Sequence, residues 1–192
     1  LANKGDGNYI FIDSEEEAKK AFVERFSAFF HLVAKDVKIQ VEFNPSKVLK
    51  YRQIGYANRQ LRHQDFRNDK VDAGEVGGGQ SVTALYEVVL ANQSKGDFGE
   101  IRVRYKDPLK NDEVTELKQA IKATDERQTW NKSDDLYQLA VLTGQFAECL
   151  KGGVPQRGVQ VRDLLKQMRP LAARLGYDSS VQELMKLMEK SQ

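Results

Sequence analysis

Four glycines within residues 74–79, joined at once to a run of strand-forming side chains, set the hardest condition on this chain. The stretch at 72–92 reads DAGEVGGGQSVTALYEVVLAN. Glycine lets the backbone take a positive φ or pass close to another strand. Val82, Thr83, Leu85, Tyr86, Val88, Val89 and Leu90 suit a pleated surface. The sequence therefore predicts a structural turn at Gly77, Gly78 and Gly79 that enters a long core strand. A phosphate cradle would need G-x-G-x-x-G opening a helix, or G-x-x-x-x-G-K-[ST]. Neither is present, and the glycines lead into a strand pattern instead of a helix.

Two further stretches alternate with period two. VKIQVEF places Val37, Ile39, Val41 and Phe43 on one face, with Lys38, Gln40 and Glu42 on the other, the pattern of a half-buried strand. In IRVRYK, Ile101, Val103 and Tyr105 alternate with Arg102, Arg104 and Lys106, and Asp107 and Pro108 end the run. Asn44, Pro45 and Ser46 form a turn, and residues 48–56 resume extended structure. Residues 57–71 are polar and read as a long connection crossing a sheet edge. Residues 113–121 fit a helix or a strand, and the expectation is a final strand. Several strands, hairpin turns and one crossover favour an antiparallel β-sandwich.

Helical signals lie at both ends. Residues 8–13 read as a short strand; Ser14 and Glu17 then form an S-x-x-E capping box, and Ala18, Phe22, Phe26, Phe29 and Val33 make an apolar stripe. Beyond a polar linker at 122–132, Ser133 is expected to cap a helix to Leu150 whose inner face carries Leu136, Leu139, Ala140, Phe146 and Leu150. A second helix, near 160–175, carries Leu164, Leu165, Met168, Leu171 and Leu175, with a kink at Pro170 and Gly176 at its end. A third opens on Ser180 and Glu183 and turns Leu184, Leu187 and Met188 inward. The expected class is α+β: an N-terminal strand and helix at 1–33, an antiparallel β-sandwich at 34–122, and a C-terminal three-helix region at 133–192.

With 30 basic and 28 acidic residues the formal charge is only +2, which argues against a dedicated binder of nucleic acid or acidic membrane. No run approaches about 18 apolar residues, so no membrane-spanning helix is expected. The single Cys149 has no partner for an internal disulfide and reads as a small core residue. The chain opens LANKGDGN without Met, and is expected to be a piece of a longer protein with any targeting segment upstream.

Catalytic and cofactor-binding residues are not found. His31 and His63, the only histidines, lack metal-site spacing, and G-x-S-x-G is absent. Beside His63 runs an acidic series, Asp65, Asp69, Asp72 and Glu75. Ca²⁺ wants six to eight oxygens on a flexible loop, but D-x-[DN]-x-[DN]-G is missing, so the expectation is a solvated loop and no metal. A carbohydrate-binding sandwich would need exposed aromatics on one sheet face. Tyr51, Tyr56 and Tyr105 are the candidates, and core packing accounts for them equally.

DAGEVGGGQSVTALYEVVL, together with AKDVKIQVEFNPSKVLKYRQIGYANR and IRVRYKDP, resembles the region C-terminal to the von Willebrand factor type A (VWA) domain in a family of bacterial VWA proteins. Gln80 stands where that family often has His, so no imidazole chemistry carries over to it. The resemblance implies that residues 1–33 are the last strand and helix of the VWA domain. The rest of that domain, with its D-x-S-x-S metal loop and any Mg²⁺, would lie upstream. It further implies a non-catalytic interaction module in the cell envelope, serving adhesion or protein assembly, with a protein partner, no nucleic acid and no direct membrane insertion. The alternatives are a carbohydrate-binding sandwich or a fragment of a metal-dependent enzyme. Loss of the VWA sheet would leave the N-terminal unit to dock elsewhere or to pair in a homodimer.

Overall fold

Period-two alternation holds over the middle of the chain, and the strands form where it predicts them. In the computed structural model, which describes residues 12–24, 31–56, 60–91, 96–122, 129–152 and 158–191, six strands appear. They are β1 (Leu32–Phe43), β2 (Val48–Ile54), β3 (Gly74–Gly77), β4 (Leu85–Leu90), β5 (Asp97–Asp107) and β6 (Glu113–Lys122). All pair antiparallel, in a four-stranded sheet of order β3-β1-β5-β6 and a two-stranded sheet β2-β4. The chain is of the α+β class, and residues 113–121 belong to a strand.

Two compact units interleave along the sequence. The first comprises Leu1–Lys47, Leu61–Val82 and Lys95–Lys122, and the second Val48–Gln60, Thr83–Ser94 and Ala123–Gln192. In the first unit β1 and β5 pair from Lys38↔Arg104 to Phe43↔Gly99. Before that run β1 carries a bulge, where Asp36 adopts φ +52°. Aspartate tolerates this left-handed conformation better than most residues.

The N-terminal helix does not reach Val33, the last residue of its apolar stripe. Ser14 Oγ does accept from Glu17 N at 3.2 Å, capping α1 (Glu15–Lys19), which passes into a π-helical turn at Lys20–Glu24. Val33, expected on the helix, is instead in β1, because pairing of Leu32 with Gly77 draws that segment into the sheet. Phe22 is exposed, and Ala21 is buried. Of the strand expected at 8–13, Ile12 and Asp13 are exposed and not in a strand, while residues 8–11, with Tyr9 and Phe11, and the stripe residues Phe26 and Phe29 lie outside the described residues.

Glycine-rich sequence is not all loop. Gly74–Gly77 forms β3 on the edge of β1, and the turn comes after it, with Gln80 N donating to Gly77 O at 3.1 Å. Gly79, third in that turn, has φ +79°, as a type II turn requires. Residues 80–84 have no regular structure, so β4 begins at Leu85 rather than near Ser81, and among the described residues it pairs with β2 alone.

The apolar core of the second unit is helical. It is built on α2 (Asp135–Leu150), α3 (Val161–Arg174) and α4 (Ser179–Lys190). Leu142, Phe146, Leu164, Leu165, Met168, Leu171, Leu175, Val181 and Met188 are its buried cluster, with Trp130 and Cys149 packed against it. Two caps differ from expectation. Asp134, not Ser133, accepts from Leu136 N and Tyr137 N, and Asp178, not Ser180, accepts from Ser180 N. A carboxylate both bonds the free amides and complements the positive helix end. The buried residues of α2 are Gln138, Leu142 and Phe146, and Leu136 and Leu150, expected inside, are exposed. On α4 the inward residues are Val181 and Met188, while Leu187 is exposed.

Candidate functional site

A sheet with one wet face ordinarily hides its apolar side. The four-stranded sheet does the reverse at its centre. Ile39, Val103 and Leu117 stand directly opposite one another across β1, β5 and β6. Ile39 retains 46% and Leu117 55% of its surface, and Val37, Val41, Ile101, Val103 and Tyr105 on the same face are only half-buried. On the opposite face Lys38, Arg104 and Glu116 form the neighbouring row, and Lys38 is among the most deeply buried side chains of the chain, at 1%. The alternation predicted from VKIQVEF is present, but its charged side is the covered one.

What covers it is the polar connection expected to cross an edge. Residues 61–72 lie across the face as a strap. Lys38 Nζ donates to Asn68 O at 2.9 Å and sits 3.0 and 3.1 Å from the two Asp36 oxygens, while Lys106 Nζ reaches Asp36 Oδ2 at 3.1 Å. Arg104 Nη1 donates to Asp69 Oδ1 at 2.6 Å, and Arg67 grips both Glu116 oxygens at 3.0 and 3.2 Å. A buried ammonium is tolerated only when paired and hydrogen-bonded, and here the carboxylate and the strap carbonyl meet that need. Phe66 is buried in the same strap, as is Asp65, which accepts from Arg62 Nε at 2.8 Å.

These contacts move titrations. The Arg104 guanidinium holds the Asp69 carboxyl below its ordinary range, and Arg67 does the same for Glu116. Hydrogen bonding to Asp36 raises the Lys106 ammonium.

The acidic series beside His63 is dispersed in the fold. Asp65 and Asp69 are engaged by arginines, Asp72 is exposed, and Glu75 is half-buried on β3. Among the described residues no three acidic, histidine or cysteine side chains converge as metal ligands would. Gly77 N donates to the Gln80 side-chain oxygen at 2.8 Å, and Gly78 N to His31 O at 2.7 Å, so the turn is tied to the start of β1. Tyr51 is on β2 and Tyr105 on β5, in different sheets, and Tyr56 OH donates to Thr83 O. The three tyrosines do not share a sheet face. Sequence reasoning missed Asp36 and Lys38, although two opposite charges at i and i+2 in an apolar strand were a visible signal.

The second unit carries an apolar groove of about 410 Å³. Ile54, Leu85, Leu136, Leu139, Ala140 and Gly144 are among its lining residues. At its rim Glu148 accepts from Arg52 Nη1 at 2.9 Å, and Arg52 Nη2 reaches Glu87 at 3.0 Å. The absent side chain of Gly144 seats α2 on the sheet, since a Cβ there would lie 3.2 and 3.3 Å from Ile54 and Leu85. The groove suits apolar side chains. Cys149, on the same helix, is held as the thiol because burial pushes its titration up.

Comparison with known proteins gives two matches. The family model described as "Uncharacterized protein YfbK, C-terminal" matches residues 28–192. "Uncharacterized protein YfbK" of Escherichia coli (strain K12) is 45% identical over 118 residues, which cover 61% of this chain and 20% of that protein. The match thus spans about a fifth of its relative's length. No solved structure matches. With all six strands and the three C-terminal helices inside the matched span, the chain belongs to the family of YfbK C-terminal regions.

Proposed function

We propose that this chain is a non-catalytic protein-protein interaction module of a bacterial VWA-domain protein, and that it holds a protein partner on the apolar face of its four-stranded sheet. One observation carries the reading: Ile39 is 46% and Leu117 55% exposed in a row with Val103, while the lysine beside Ile39 is buried. Contiguous exposed apolar surface on a folded domain marks an interaction site. The association with a VWA domain is supported by the motifs at 34–59, 72–90 and 101–108. Any metal-dependent ligand binding, with Mg²⁺, belongs in this reading to the VWA part. Adhesion or assembly in the cell envelope is the role that the resemblance favours.

The test is capture with full-length protein, with and without Mg²⁺, comparing wild type with Ile39→Glu. The same proteins should be recovered by wild type and lost by the variant at an unchanged melting temperature. Equal recovery by both sinks the assignment of the face. Specific turnover of a small substrate by the isolated chain would sink the non-catalytic reading.

A further inference from the structure

The two edges of the four-stranded sheet are built differently. At one edge β3 is four residues long and its pairing with β1 is broken by irregularities at two places. Short, irregular edges resist further pairing. At the other edge β6 runs ten residues, EVTELKQAIK, without glycine or proline. It pairs with β5 in unbroken register from Ile121↔Gly99 to Glu113↔Asp107. Among the described residues no strand pairs with its outer side. Leu117, Lys118 and Gln119, at its middle, are all exposed. A long, regular, unpaired strand is a template for strand addition.

We infer that β6 pairs antiparallel with β6 of a second copy of this chain, about a two-fold axis through Leu117. The charges select this occupant and this register. A two-fold perpendicular to the sheet keeps each face on its own side, so odd residues oppose odd and even oppose even. An axis at Glu116 would set Glu116 against itself, and one at Lys118 would set Lys118 against itself. With the axis at Leu117, Glu116 faces Lys118 of the second copy, and Lys118 faces Glu116 of the second copy. Residues 113–121 of both copies then overlap, whereas an axis at Gln119 shortens the overlap to 116–122. Leu117 meets its own copy, and the row Ile39, Val103, Leu117 continues across the junction. Two four-stranded sheets become one of eight. Glu116 already accepts from Arg67 and has Lys118 Nζ of its own copy at 3.8 Å, beyond hydrogen-bond length, so pairing exchanges this loose contact along the strand for one across the junction.

The pairing goes beyond the partner face proposed above, and its test is separate, because Lys118 lies on the other side of the sheet from Ile39. Sedimentation velocity on the whole chain should show a dimer. Lys118→Glu places two like-charge pairs across the axis and should weaken association by about tenfold. Lys118 is exposed, and an unchanged melting curve will confirm that the variant folds. In a Cys149→Ser background, Leu117→Cys should cross-link to itself under mild oxidation, since opposed Cβ atoms in such a pair lie roughly 4.5–5.5 Å apart. Thr115→Cys and Gln119→Cys should cross-link when mixed and not alone. A chain that stays monomeric at every concentration overturns the inference and leaves the edge to a strand from another protein. A dimer indifferent to Lys118→Glu, with no cross-link at 117, overturns it equally.

Discussion

Lys38 is the residue on which the inverted sheet depends. Its ammonium joins the Asp36 carboxylate on β1 to the Asn68 carbonyl on the strap. Lys38→Ala should cost on the order of 3 kcal/mol, read by denaturant unfolding, because it strips a buried carboxylate of one of its two lysines. Backbone positions give sharper contrasts. A Cβ on Gly99 would collide with the Glu42 carbonyl and crowd Phe43 Cα at 3.0 Å, both backbone atoms that cannot swing away. Gly99→Ala should therefore destabilise by about 1–3 kcal/mol. In the glycine-rich turn only Gly79 needs positive φ, since Gly77 and Gly78 do not have it. Gly79→Val should lower stability by about 1–3 kcal/mol, while Gly78→Ala, whose Cβ would meet His31 at ordinary distances of 3.6 and 3.8 Å, should be milder. Equal melting temperatures for the two variants would refute the assignment of the strain to Gly79.

At the scale of elements, strands were the most legible part. Alternation in VKIQVEF and IRVRYK located β1 and β5, because a period of two needs no knowledge of what lies opposite. Which side would be covered was not legible. That depends on residues 61–72, whose Asn, Asp and Arg side chains read as solvated loop and in fact supply the partners of Lys38, Arg104 and Glu116. Helix caps were legible to within one or two positions, since Ser133 and Asp134, or Asp178 and Ser180, offer competing acceptors. The strap makes a prediction in pH. Asp69 and Glu116 titrate lower in the folded chain than their ordinary values. Their contribution is therefore fully present above the ordinary carboxylate range and is lost as pH falls through the lowered values. Amide exchange in residues 61–72 should accelerate, relative to β5, when pH drops from 7 to about 3 or when salt rises. A strap whose protection relative to β5 is the same under all these conditions would show that apolar contacts of Phe66, not charge, hold it.

At the scale of the whole molecule, the chain passes from one compact unit to the other five times, at 47/48, 60/61, 82/83, 94/95 and 122/123. A fragment ending at residue 122 would keep β2 and β4 but lose α2, which rests against Ile54 and Leu85 through Gly144. It should aggregate, or bind more of a hydrophobic dye than the whole chain does. A fragment that is soluble, binds no more dye than the whole chain and is protected at β2 would contradict the division into units. The same five crossings bear on inheritance. Recombination moves contiguous stretches of coding sequence, and no single stretch here encodes one unit without strands of the other. Descendants of this fold can exchange whatever flanks it on either side, but its two units travel as one heritable block.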